Sequence, residues 1–134
     1  MFAVTTWDGT ARIYEIVQSN IGYSITQKFF IKVGTPVLSC CWNGQNTKLY
    51  VGCGDNILRS IELETSKITN VGKHNNAIKD VFFIPNKNLI LSTSYDKNIN
   101  IWQDGNMNPI ANVPLNNKLY TASFKYPLFA GGLS

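Results

Sequence analysis

The chain has 134 residues, 44% hydrophobic and 15% charged, enough for one domain that buries about two-thirds of its unfolded surface. Its formal net charge is +4 with Lys and Arg scattered singly, which leaves no basic stripe for nucleic acid as a primary ligand. One histidine and three cysteines, Cys40, Cys41 and Cys53, lack the spacing of a zinc site and suit the reduced, buried thiols of an intracellular protein.

Period-two alternation runs through the chain, and no window has the 3.6-residue period of an amphipathic helix. In chain order it predicts strands at Phe2 to Trp7, Ala11 to Val17, Ile25 to Val33, Val37 to Trp42, Leu49 to Cys53 and Ile57 to Leu63. Further strands follow at Lys67 to Val71, Ala77 to Ile84, Leu89 to Tyr95, Asn98 to Trp102, Pro109 to Val113, Leu119 to Lys125 and Leu128 to Ser134. Asp8-Gly9, Gly34-Thr35-Pro36, Asn43 to Thr47 and Pro85 to Asn88 read as turns and breaks. Within Val37 to Trp42, Cys40 and Cys41 point to opposite faces. No apolar run reaches the length of a membrane span, the start is unlike a signal peptide, and no Asn-x-Ser/Thr sequon occurs.

Three segments share one plan: FAVTTWDGTARIYEI from Phe2, LYVGCGDNILRSIEL from Leu49 and LILSTSYDKNINIW from Leu89. Each is an alternating run, a tight turn carrying Asp8, Asp55 or Asp96, then a second run. The aspartates recur at roughly 40 to 47 residues, the period of a four-stranded propeller blade. The expected fold is therefore all-β, with about three blades of a β-propeller, divided as repeats at 1–33, 34–74, 75–115 and the start of another at 116–134. Three blades with open ends would leave apolar faces uncovered. The expectation is thus a piece of a longer ring, or a chain that completes the ring with copies or a partner.

SYDKNINIW, preceded by KHNNAIKDVFFIPNKNLILST, resembles a WD repeat. The resemblance departs from the family pattern where Lys73 separates Gly72 from His74, where Gln103 follows Trp102, and in the second repeat, where Ile61 stands in place of the tryptophan. It implies a buried hydrogen-bond network among His74, Ser92, Ser94, Asp96 and Trp102. Those residue types also suggest a Ser-His-Asp triad, but nothing in the sequence supplies an exposed nucleophile or an oxyanion hole. With no paired carboxylates, phosphate loop or metal spacing either, no enzyme activity and no cofactor is expected.

Nearly the whole chain is similar to two sister WD subfamilies: the Rae/Gle mRNA-export and nuclear-pore factors, and the Bub-type spindle-checkpoint proteins. The matching segments are TTWDGTARIYEI, PVLSCCW and NPIANVPLNNKLYTASFKYPLFAGGLS; PVLSCCW and LYTASFKYPLFAGG lean toward the export factors, while DNILRSIELETSKITNVGKH is about equally like the checkpoint proteins. The resemblance implies the N-terminal part of a seven-bladed propeller and a non-enzymatic scaffold. Its partner would be an acidic GLEBS-type peptide, from a nucleoporin for the export factor or from a checkpoint kinase for its sister. It further implies other nuclear-pore or export proteins as partners, an indirect or weak association with RNA, and a location in the nucleus, at the nuclear pore and in the cytoplasm. The residues it assigns to partner binding are Trp7 and Tyr95, just before the turn aspartates, and Lys97 as the basic group beside them; Gly54 breaks that aromatic pattern. The remaining aromatics are expected to point inward as core rather than to form a row for nucleic-acid bases.

Overall fold

The computed structural model describes residues 1–134 and contains no helix. Its thirteen strands are β1 (Phe2–Thr5), β2 (Thr10–Ser19), β3 (Gly22–Lys32), β4 (Val37–Trp42), β5 (Lys48–Cys53), β6 (Ile57–Glu62), β7 (Ile68–Lys73), β8 (Ile78–Ile84), β9 (Leu89–Ser94), β10 (Asn98–Gln103), β11 (Ala111–Pro114), β12 (Leu119–Lys125) and β13 (Leu128–Leu133). They form antiparallel meanders: β1-β2-β3, β4-β5-β6-β7, β8-β9-β10-β11 and the hairpin β12-β13. The two complete sheets are four-stranded blades standing side by side between a three-stranded one and a hairpin.

Each sheet buries side chains on both faces, which is why the middle strands read as nearly continuous apolar runs. In β5, Leu49, Val51 and Cys53, with Val37 of β4, pack toward Ile13 and Ile31 of the first sheet. Tyr50, between them in sequence, turns the other way, toward Ile78, Val81 and Trp102 of the third sheet. Strand β9 repeats this: Ile90 faces the second sheet, while Leu91 faces Phe124 and Phe129 of the hairpin. Cys40 and Cys41 fall on opposite sides of β4, one against each of the first two clusters.

The repeat is tightest at the start of each blade. Val37, Ile78 and Leu119 recur every 41 residues, all buried, and each is followed by a bulge that shifts the pairing of its strand by one residue. The longer interval after Asp8 is taken up in β2 and β3, strands of 10 and 11 residues where the second sheet has two of 6. That long hairpin runs past the core, so Ile21, Tyr23 and Ile25 at its tip are exposed.

The expectation that aromatics outside the turns all point inward does not hold. Tyr23, Phe30, Tyr120 and Tyr126 are exposed as well as Trp7. They lie on β3, on β12 and beside β13, on sheet faces that have no neighbouring blade to cover them.

Candidate docking groove on the turn rim

The turns after β1, β5 and β9 are built alike. One carboxylate oxygen of each turn aspartate accepts the backbone N–H two residues on: Thr10 to Asp8 at 3.0 Å, Ile57 to Asp55 at 3.3 Å and Asn98 to Asp96 at 2.9 Å. This closes the turn and lets the residue after the aspartate take a left-handed backbone, φ 80° at Gly9, 74° at Asn56 and 69° at Lys97. Glycine and asparagine accept that conformation readily, whereas lysine does so at a cost.

Each carboxylate also meets a partner of its own, through the second oxygen of Asp8 and Asp96 and through both oxygens of Asp55. Asp8 faces the Arg12 guanidinium at 3.7 Å, Asp55 forms a two-pronged pair with Arg59 at 2.8 and 2.5 Å, and Asp96 meets His74 Nδ1 at 2.8 Å. The Thr6 and Thr10 hydroxyls, then Arg12, hold the Asp8 carboxyl below its ordinary range. Arg59 does the same for Asp55 against the opposing pull of burial. Arginine four residues after the aspartate thus fills the place that a histidine from the preceding loop takes in the third blade. The Arg12 guanidinium lies over the Phe30 ring, 5.6 Å from its centroid, and its Nε is buried without a partner.

In the third blade the bonds form a directed chain. Trp102 Nε1 donates to Ser92 Oγ at 2.7 Å, and Ser92 Oγ lies 2.8 Å from His74 Nε2. Every group is satisfied if the Ser92 hydroxyl donates to a neutral imidazole whose Nδ1–H donates to Asp96. Burial lowers the His74 pKa against the pull of Asp96, which agrees with the neutral ring. Burial also raises the Asp96 pKa, but the Asn75 N–H at 2.9 Å, the His74 ring and the Asn98 N–H outweigh it and leave the carboxyl low. Ser94 lies outside this chain; its hydroxyl donates to the Asn76 carbonyl at 2.9 Å and accepts the Asp96 N–H at 3.1 Å, tying the turn to the loop before β8. Ser92 is fully buried, with its proton and one lone pair engaged within the network, so the constellation offers no accessible nucleophile. No three His, Cys, Asp or Glu side chains converge as a metal would require, and no helix is long and apolar enough to cross a membrane.

The turns display their preceding residues on one rim. Trp7, Thr35, Pro36, Leu38, Gly54, Asp55, Ala77 and Tyr95 line a mostly apolar groove of about 440 Å³. Trp7 is 79% exposed and Tyr95 half-buried. The walls are pinned by the backbone: Val37 N donates to Thr6 O at 3.1 Å, Gly54 N to Pro36 O at 2.8 Å, and Tyr95 N to Ala77 O at 3.1 Å. Leu38 reaches the groove from the bulge that follows Val37.

Four lysines sit at the same end of the sheets. Lys32 and Lys73 close β3 and β7 opposite Thr10 and Ile57, the first residues after their turns. Lys97 is in the third turn, and Lys118 is in the loop before β12. None of the four forms an ion pair, whereas Asp8, Asp55 and Asp96 are each matched by Arg12, Arg59 or His74. Of the three residues assigned to a partner, the structure brings Trp7 and Tyr95 to the groove. Lys97 stands outside its lining, with Nζ 3.3 Å from the Asn116 carbonyl. Sequence reasoning missed Pro36, Leu38 and Ala77. The signal for Pro36 and Ala77 is their fixed offset from the turns, since each accepts the N–H of the residue before a turn aspartate.

A hollow of equal volume opens at the opposite end, lined by Met1, Phe29, Asn46, Thr47, Glu62, Leu63 and Glu64. None of the repeated turn positions enters it, and its charged side chains are the carboxylates of Glu62 and Glu64.

A family model, the WD domain or G-beta repeat, matches residues 65–103, the stretch that holds His74, Ser92, Asp96 and Trp102. The third blade is a WD repeat. The chain is 26% identical over 129 residues to Protein Rae1 of Drosophila melanogaster, covering 95% of this chain and 36% of that one. It is 32% identical to the Poly(A)+ RNA export protein of Schizosaccharomyces pombe, covering 94% of this chain and 36% of the relative. The mitotic checkpoint protein bub-3 of Caenorhabditis elegans is 31% identical over 102 residues, 76% of this chain and 29% of that one. The chain spans about a third of the length of the curated relatives it matches.

Proposed function

We propose that the chain is a non-enzymatic docking scaffold in mRNA export, and that its turn rim takes a short acidic peptide of the GLEBS type from a nucleoporin. The observation that carries this reading is Trp7, 79% exposed on a closed hairpin, facing Tyr95 across an apolar groove. An aromatic held this way offers wide apolar area with little entropy left to lose. The four unpaired lysines give the rim the sign that an acidic peptide requires. Lys97 keeps a left-handed backbone where the other two turns carry glycine and asparagine, a cost that fits a residue retained for its charge. The similarity to the Poly(A)+ RNA export protein and to Rae1 supports the process, and with it a place at the nuclear pore, in the nucleus and in the cytoplasm.

Calorimetric titration with a nucleoporin GLEBS peptide tests the reading. Trp7→Ala should weaken binding by about 1–3 kcal/mol, the range of a hot-spot anchor, and leave the melting temperature nearly unchanged. Unaltered affinity would remove Trp7 from the site, and absence of binding would overturn the reading. The similarity to bub-3 favours one alternative, a checkpoint-kinase peptide of the same type on the same rim. The tighter of the two peptides decides between them.

A further inference from the structure

We infer that Gly54 is the specificity-determining position of this groove. By carrying no side chain between Trp7 and Tyr95, it opens a slot for one apolar anchor side chain of an otherwise acidic, extended peptide. The inference rests on the docking reading above and adds what that reading does not contain: which residue shapes the slot and what enters it.

Trp7, Gly54 and Tyr95 hold the same place in three successive blades, each just before its turn aspartate. Two of the three raise an aromatic above the rim and the middle one raises nothing, so the groove lies over the middle blade. Its floor and sides are Pro36, Leu38 and Ala77; the polar side chains in the lining are Thr35, the paired Asp55, and the two walls with their indole N–H and phenol O–H. A methyl group on Gly54 would rest on Pro36, 3.4 Å from its Cβ and 3.8 Å from its Cγ, in ordinary van der Waals contact. Gly54 also keeps a backbone conformation open to any residue, since it is absent from the positive-φ positions. Neither strain nor crowding demands glycine here, in contrast to Gly9, where φ is 80° and a Cβ would come within 2.9 Å of Thr35 N. What glycine supplies at position 54 is space.

The chemistry of the slot selects its occupant. An apolar floor between two aromatic walls desolvates an aliphatic or aromatic side chain at no polar cost. Its apolar floor offers nothing to the polar edge of a nucleobase, which argues against single-stranded RNA although two rings and four lysines are at hand. The lysines lie around the slot rather than in it, so acidic residues on either side of the anchor reach them while the anchor is buried.

The test uses the 134-residue chain and a synthetic Asp/Glu-rich peptide with one central leucine, beside its Leu→Ala twin and an oligo(U) strand. On the wild-type chain the twin should bind about tenfold more weakly. On Gly54→Leu, whose side chain fills the slot, the leucine peptide should lose about tenfold and the two peptides should become equal, the signature of coupled positions in a double-mutant cycle. Gly54→Ala should fall between and melt within a degree or two of wild type, so the ordering survives even if Gly54→Leu folds poorly. Equal binding of the two peptides to wild type would overturn the inference, as would an undiminished leucine preference in Gly54→Ala and Gly54→Leu. If Trp7→Ala weakens binding while both Gly54 variants do not, the docking reading stands and the slot falls. Tighter binding of oligo(U) than of peptide would overturn the choice of occupant.

Discussion

His74 is the single histidine of the chain, is 2% exposed, and has both ring nitrogens engaged. Burial holds its pKa below the ordinary 6.5. As pH falls through 6.5 the unfolded chain takes up a proton and the folded chain resists. The folded state therefore keeps its full stability above that point and loses it on acidification, at up to about 1.4 kcal/mol per pH unit. A proton on Nε2 would also turn the Ser92 hydroxyl away from its acceptor, since the Trp102 N–H already occupies one of its lone pairs. Asp96, held below its ordinary 3.8, adds a second loss that begins only as pH approaches that value. Between pH 7 and 5 the slope of melting temperature against pH should thus be positive and belong to His74, and it should vanish in His74→Asn, although that variant melts lower throughout. A melting temperature that does not move across this range would contradict the neutral-ring network.

Among the strands, the close approach of neighbouring sheets is set by small residues. Gly72 in β7 packs against Trp102 of β10; a Cβ there would lie 2.3 Å from the indole Cζ3 and 2.4 Å from Cε3. The ring is fully buried and pinned through Nε1, so it cannot retreat. Gly72→Ala should cost about 1–3 kcal/mol or more by overpacking, read in urea unfolding, whereas Gly54→Ala should be close to neutral. Equal costs at the two positions would refute the packing assignment. Every strand was legible in the alternation, with ends within three residues of those observed. The largest error, at β3, falls in the part of the long hairpin that leaves the core, where no buried face enforces a pattern. The His-Ser-Asp-Trp set was legible through the WD resemblance. That Arg12 and Arg59 serve Asp8 and Asp55 was not: both blades repeat Asp-x-x-x-Arg, but strand alternation alone does not show that this arginine folds back onto the turn. Leu38 was hidden for another reason: a bulge re-aims it, and alternation alone carries no mark of a bulge.

Across the whole molecule, three clusters run between successive sheets rather than forming one central core. The middle two sheets are covered on both faces, while β2-β3 and β12-β13 have one covered face and exposed apolar residues off it, Ile16, Ile25 and Phe30 in the first and Tyr120 and Leu128 in the second. Lys48 ties the two complete blades together at the far end, with Nζ 2.7 Å from Asp104, whose carboxylate also accepts the Tyr50 hydroxyl at 3.1 Å. Burial and then the Asp104 charge raise the Tyr50 pKa, keeping that phenol protonated as a donor. Amide exchange should therefore grade outward: slowest in β5, β6, β9 and β10, and fastest at the tip of β2-β3 and in β13. Uniform protection along the chain would imply a single cooperative core and is the result that would contradict this layered arrangement.

The shifted pairing after Val37, Ile78 and Leu119 separates two duties that a regular strand would join. The buried residue of each pair anchors its blade, while the next one, Leu38, Lys79 or Tyr120, is turned out of the ladder and is half-buried or exposed. Leucine, lysine and tyrosine already occupy that slot on one scaffold. The outer position is thus free to be rewritten from blade to blade, retuning what the rim attracts while the sheets beneath stay in register.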